Sequence, residues 1–267
     1  MYFTLSSSTH PARELPIVVE IPHAGLDLPE PLSRHVAASE EARLRDSDAY
    51  VDRIFALAPK VGASLLVSNV SRYVIDLNRA PTDYDDGVVE GGGGAPKLRH
   101  GLIWRVTGQG EPALVERLKL STLGELIREI YDPYHMALRR ELDRKRALFG
   151  HVVLIAAHSM PSRDLRGRLR ADIVPGTQGM TTAGPRIIAS VERCVRKRRW
   201  SLVHDDPYRG GYTTRHYGDP NAGFHAIQVE INRRLYFDEE RLVSHSGIVK
   251  LEAFATDLIE TVASALG

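Results

Sequence analysis

One cysteine among 267 residues leaves no partner for an internal disulfide, so Cys194 suits a chain that folds in a reducing compartment. It lies between "IIASVE" and a basic run, without a nearby histidine, and reads as a helix-packing thiol rather than a nucleophile. An excess of either charge is also lacking. Formal net charge is +1, which gives no global field to draw in nucleic acid or an anionic membrane. The cluster "RCVRKRRW" from Arg193 reads as the solvated face of a helix. No apolar run approaches the length that spans a bilayer, and no basic segment followed by an apolar core opens the sequence. The expectation is a cytoplasmic protein with neither membrane nor nucleic-acid partners. Nothing in the length demands two domains, and no linker or internal repeat divides the chain, so a single domain is expected over residues 1–267.

Short apolar runs alternate with longer amphipathic ones, the pattern of an α/β fold with a mixed, largely parallel sheet. Strands are expected at Ile17–Ile21, Ser64–Val70, Tyr73–Leu77, Leu102–Val106, Val152–Ala156, Leu202–His204 and Ala226–Ile231. A long helix is expected from Glu111 to Gly150, kinked or divided at Pro133. Others are expected from about Ser39 to Ala58 and from about Gly247 to Leu266, the last with an apolar stripe from Ile248 to Val262. Three segments resist a regular reading: Pro81–Arg99, Pro161–Ala183 and Asp205–Gly223. Long irregular segments in a compact protein commonly build binding sites, so a substrate pocket is expected among them.

In open α/β sheets ligands bind beyond the carboxyl ends of the strands. His23 follows the first strand in "PIVVEIPHAG"; Asp76, Asn78 and Arg79 close "YVIDLNR"; His158 and Ser159 close "HVVLIAAHS"; Gln228, Glu230 and Arg233 lie in "IQVEINRR". Either histidine alone could be an ordinary hydrogen-bonded residue, but two at strand ends suggest a metal. With cysteine unavailable, two histidines and one carboxylate form the natural ligand set of a hydrolytic zinc site, with one position left open. The carboxylate is sought in "RDSDAYVDRIF", where Asp48 and Asp52 stand four apart on an expected helix with Asp46 at its start. Asp46 reads as an N-terminal helix charge and Asp52 as a salt-bridge partner, leaving Asp48 as the metal candidate, with Asp27 also nearby in sequence. Glu230, near such a metal, could take a proton from water and pass it to a leaving amine. Arg79, Arg215 and Arg233 could each fork onto a substrate carboxylate, or serve only as structural salt bridges.

Seven stretches together, "IPHAG", "SDAYVDRIF", "RYVIDLNRAP", "YDPYH", "AAHSMPS", "DPYRGGYTTRHYG" and "QVEINRRLY", resemble the N-formylglutamate amidohydrolases, zinc-dependent relatives of the carboxypeptidases. The resemblance runs from His23 to Tyr236. It implies a three-layer α/β/α sandwich of the zinc carboxypeptidase type, with Zn2+ held by His23, an acidic residue and His158, and with Glu230 as catalytic base. The wider superfamily has a glutamate three residues after the first histidine; here that residue is Leu26, so the acidic ligand must come from elsewhere. The substrate implied is N-formyl-L-glutamate, the last intermediate of histidine breakdown. Arg79 is expected to help stabilise the oxyanion, and Arg215, Thr213, Thr214, Asn78 and Arg233 to bind the substrate. The rival expectations are the same chemistry on another N-acyl amino acid and a non-catalytic relative that senses an amino acid. A serine hydrolase using Ser159 is disfavoured, because "AHSMP" lacks the small residues that flank a nucleophile elbow.

Overall fold

The computed structural model describes residues 1–93 and 99–266, so part of the expected loop Pro81–Arg99 lies outside the described residues. A six-stranded sheet has the order β1 (Phe3–Ser6), β3 (Ser64–Ser68), β2 (Ile17–Ile21), β4 (Val152–Met160), β6 (Phe224–Asn232), β5 (Ile173–Gly176). β2 runs parallel to β4 and β4 parallel to β6, whereas β5 is antiparallel to β6, which makes the sheet mixed as expected.

The chain divides into two compact units. One comprises residues 5–21, 50–66 and 139–267. Every residue of β2 and β4 there is buried, so helices must cover both faces, and the strands read as continuous apolar runs rather than alternating ones. The helices are α2 (Val51–Ile54), most of α4 (Asp132–Phe149), α5 (Pro185–Lys197), α6 (Tyr212–Tyr217) and α7 (Ile248–Ser264). The stripe Ile248, Leu251, Phe254, Ala255, Leu258, Ile259 and Val262 is buried along α7, as its spacing predicts. Strands β7 (Phe237–Asp238) and β8 (Val243–Ser244) pair as a short ribbon.

The other unit comprises residues 1–4, 22–49 and 67–138 and is largely irregular, with α1 (Glu40–Asp46) and α3 (Leu120–Leu126). It contains a small apolar cluster of Ala38, Ala42, Tyr73, Trp104 and Ala113, among other buried residues.

Several expected elements are corrected. Tyr73–Leu77 is no strand: its apolar residues are buried in turns, and Asp76 N–H donates to the Leu102 carbonyl at 2.8 Å. β-propensity there reported burial, not a ladder. Leu102–Val106 and Leu202–His204 form only isolated bridges. The long helix starts at Leu120, not Glu111, because Ala113, Val115 and Leu118 donate their N–H groups to Arg105, His35 and Val88, away from any helical partner. Before Pro133 the helix widens into a π-turn at Ile127–Tyr131, which absorbs the missing proline donor without breaking the rod. The expected helix from Ser39 to Ala58 is broken at residues 47–50, where Tyr50 takes a left-handed conformation (φ 64°). Asp46 therefore ends α1 instead of starting a helix.

Candidate metal centre

β2 delivers the chain to His23. Immediately beyond, the backbone passes so close to its neighbour that a Cβ on Gly25 would lie 2.2 Å from the Asn69 carbonyl carbon; only glycine allows "HAG" to take this path. His23 is buried, and its carbonyl accepts from the Asp48 N–H at 2.9 Å. The break between α1 and α2 thus serves the site: freed from the helical ladder, Asp48 turns its carboxylate Oδ2 to 3.5 Å from His23 Nδ1. Asp52 and Asp27, the alternative carboxylates, are exposed.

The other ring nitrogen of His23, Nε2, lies 2.7 Å from Asp76 Oδ1. Asp76 has no exposure, and its carboxylate also accepts from Asn78 N–H (2.9 Å), Arg72 Nη2 (2.8 Å) and Trp104 Nε1 (2.9 Å). Burial opposes its ionisation, but His23, Arg72 and Arg79 outweigh it and hold the carboxyl well below the usual range. Arg72 in turn lies 4.3 Å over the Trp104 ring. The hydroxyl of Tyr131 donates to the Arg79 carbonyl at 2.8 Å, and the ring of His135 reaches the Leu77 carbonyl at 3.1 Å. Pinning the loop that carries Asp76, Asn78 and Arg79 is thus a structural task of "YDPYH".

On the sheet, His158 and Glu230 are register partners on the adjacent parallel strands β4 and β6, so their side chains leave the same face as neighbours. Both lie inside their strands, not past the ends, because β4 and β6 run on to Met160 and Asn232. Gln228 Nε2 donates to Glu230 Oε1 at 2.8 Å, and Arg233 Nε donates to Ser159 Oγ at 3.2 Å.

One ligand atom from each of His23, Asp48 and His158 lies within 4.8 Å of the other two, and all three residues are buried. Two imidazoles and one carboxylate without thiolate suit a borderline divalent ion such as zinc better than a hard ion that demands all-oxygen coordination. Asp76 on the far nitrogen of His23 is the outer partner that fixes the ring of a metal-ligating imidazole. The residues present therefore fit the group.

The remaining expected site residues are dispersed in burial. Asn78 and Arg233 are buried, as are Thr213 and Thr214. Arg79 donates to the carbonyls of His100 (2.8 Å) and Asn78 (2.9 Å). Arg215 is exposed and sits on helix α6, not in a loop as expected. Sequence reasoning named Asp76 and Gln228 and quoted the stretches that hold Arg72, Tyr131 and His135 without giving any of them a role, and it missed Trp104. The signal within reach was a carboxylate amid the apolar run "YVIDL", which burial obliges to find donors.

Residues 15–237 match the model of a family described as N-formylglutamate amidohydrolase. Two curated N-formylglutamate deformylases are similar: one from Pseudomonas aeruginosa, 32% identical over 85% of this chain and 84% of its own length, and one from Pseudomonas putida, 36% identical over 87% and 85%. Among solved structures, an N-formylglutamate amidohydrolase from Ralstonia eutropha superposes with a TM-score of 0.89 at 28% identity, covering 98% of this chain and 97% of that one. A gene product of Agrobacterium tumefaciens shares the fold, with a TM-score of 0.74 at 17% identity, over 98% of this chain and 95% of its own.

Proposed function

Because the chain belongs to the N-formylglutamate amidohydrolase family, we propose that it hydrolyses N-formyl-L-glutamate to formate and L-glutamate, using zinc held by His23, Asp48 and His158. The observation that carries this reading is the buried His, Asp, His cluster, the ligand set of a zinc site that keeps a position open for chemistry. Zinc bound there supplies Lewis acidity, which polarises the formyl group and makes water acidic enough to attack near neutral pH. Glu230, strand neighbour of His158, accepts the water proton on its carboxylate and returns it to the glutamate nitrogen as the C–N bond breaks. Arg79 offers positive charge toward the oxyanion, and Asp76 keeps His23 in the ring orientation that presents Nδ1. Arg215 grips one substrate carboxylate with Thr213 and Thr214 as supporting donors, while Asn78 and Arg233 complete the substrate contacts. We assign the reaction to the last step of histidine degradation, in the cytoplasm, which suits the single thiol. No helix among the described residues is long and apolar enough to cross a membrane.

The test separates binding from chemistry. Glu230→Gln keeps its metal and its affinity for N-formylglutamate, while formate release falls by about 10²- to 10⁴-fold. Unchanged turnover in that variant removes Glu230 from the mechanism.

A further inference from the structure

Gln228 is buried in β6, two residues before Glu230 and on the same face of the strand. Its side chain makes two hydrogen bonds of opposite sense. The backbone N–H of Gly211 donates to Gln228 Oε1 at 2.8 Å, and Gln228 Nε2 donates to Glu230 Oε1 at 2.8 Å. The first bond settles the second. A backbone N–H can only donate, so the amide oxygen must face Gly211, which leaves the amide NH2 facing Glu230. The flipped amide would set NH2 against N–H and oxygen against carboxylate, losing both bonds in a buried place.

Gly211 is the residue from which α6 starts, and α6 carries Thr213, Thr214 and Arg215. Gly211, being glycine, has no side chain with which to cap this helix, and the neighbouring turn is held by a separate contact, from Gln178 Nε2 to the Gly210 carbonyl at 2.6 Å. One amide therefore links Glu230 to the start of α6.

We infer that Gln228 is a positioning residue, whose amide passes the Gly211 N–H on to Glu230 and so fixes the carboxylate against the helix that bears the substrate-gripping residues. The inference rests on the reading of Glu230 as the catalytic base. Glutamine is the side chain this needs, because an ionised glutamate in its place could accept from Gly211 but could not donate, and would set like charges side by side. Methionine would fill the volume and make neither bond. A base displaced by a fraction of an ångström is far less effective, and such outer contacts are commonly worth 10- to 100-fold.

The experiment compares Gln228→Glu, Gln228→Met and Glu230→Gln as zinc-loaded protein with N-formylglutamate. The expected result for both Gln228 variants is a kcat about 10- to 100-fold lower with KM changed less than about threefold and zinc content unchanged. Amide exchange at Gly211, followed by NMR, is expected to speed up in Gln228→Met and to stay protected in Gln228→Glu, which keeps the acceptor. Gln228→Glu preserves shape, so it reports even where Gln228→Met folds poorly. Wild-type kcat in Gln228→Glu, or a change in KM alone, overturns the inference. Should Glu230→Gln itself retain full turnover, the base reading fails instead, and the Gly211 exchange still reports whether the amide links the two segments.

Discussion

Asp76 shows how much one carboxylate can organise. It is shut away from water, yet it stays ionised because His23, Arg72, Trp104 and a backbone N–H all point at it. Its bearing on the proposed metal is indirect: by holding Nε2 of His23 it leaves Nδ1 facing Asp48. Asp76→Asn should therefore keep the ligands yet lower zinc affinity by about 10- to 100-fold, measured by competition with a chelator. Asp52→Ala, at an exposed helix position, should leave the affinity unchanged. Equal affinities for wild type and Asp76→Asn would reduce Asp76 to a folding residue. The meeting of His23 with His158 was legible in the sequence because two histidines at strand ends suggest a shared site, whereas the part played by Asp76 was not: it depends on donors from Arg72 and Trp104, and the latter is 28 residues away.

Between elements, the entry to β2 is fixed by charge. Glu14 accepts from Lys145 Nζ at 2.9 Å and is also paired with Arg144, while Lys145, with no exposure, donates to the Leu15 carbonyl at 2.7 Å. Arg144 is the chief cause, opposed by burial and helped by Lys145, that lowers the Glu14 carboxyl from 4.5 to about 2. A carboxylate with a depressed folded-state pKa stabilises fully above pH 4.5 and loses that contribution as pH falls toward 2, since the unfolded chain binds the proton first. Glu14→Gln should cost roughly 2 to 3 kcal/mol at neutral pH and flatten the acid side of the stability curve over that window, read by denaturant titration at several pH values. A parallel curve, merely displaced, would contradict the assignment. β2, β4, β6 and α7 were legible as elements because their apolar patterns are long and point to one packing. Tyr73–Leu77 carried the same residue types into a buried loop, and the break at residues 47–50 left no mark in "RDSDAYVDRIF", because the contact that makes it, Asp48 N–H to the His23 carbonyl, joins residues 25 apart.

For the whole molecule, zinc bound only by the folded chain must stabilise it, by about 2.7 kcal/mol when free zinc is a hundredfold above its dissociation constant. Stripping the metal should thus lower the melting temperature, and His23→Ala or His158→Ala should abolish the difference between stripped and loaded protein. The measurement that reaches the central claim most directly is formate release from N-formylglutamate as zinc is titrated into the metal-free chain. Activity should rise in proportion to bound zinc and stop rising near one ion per chain, with none gained by the His23→Ala/His158→Ala protein. Full hydrolysis by the metal-free chain, or by that double variant, would contradict the account.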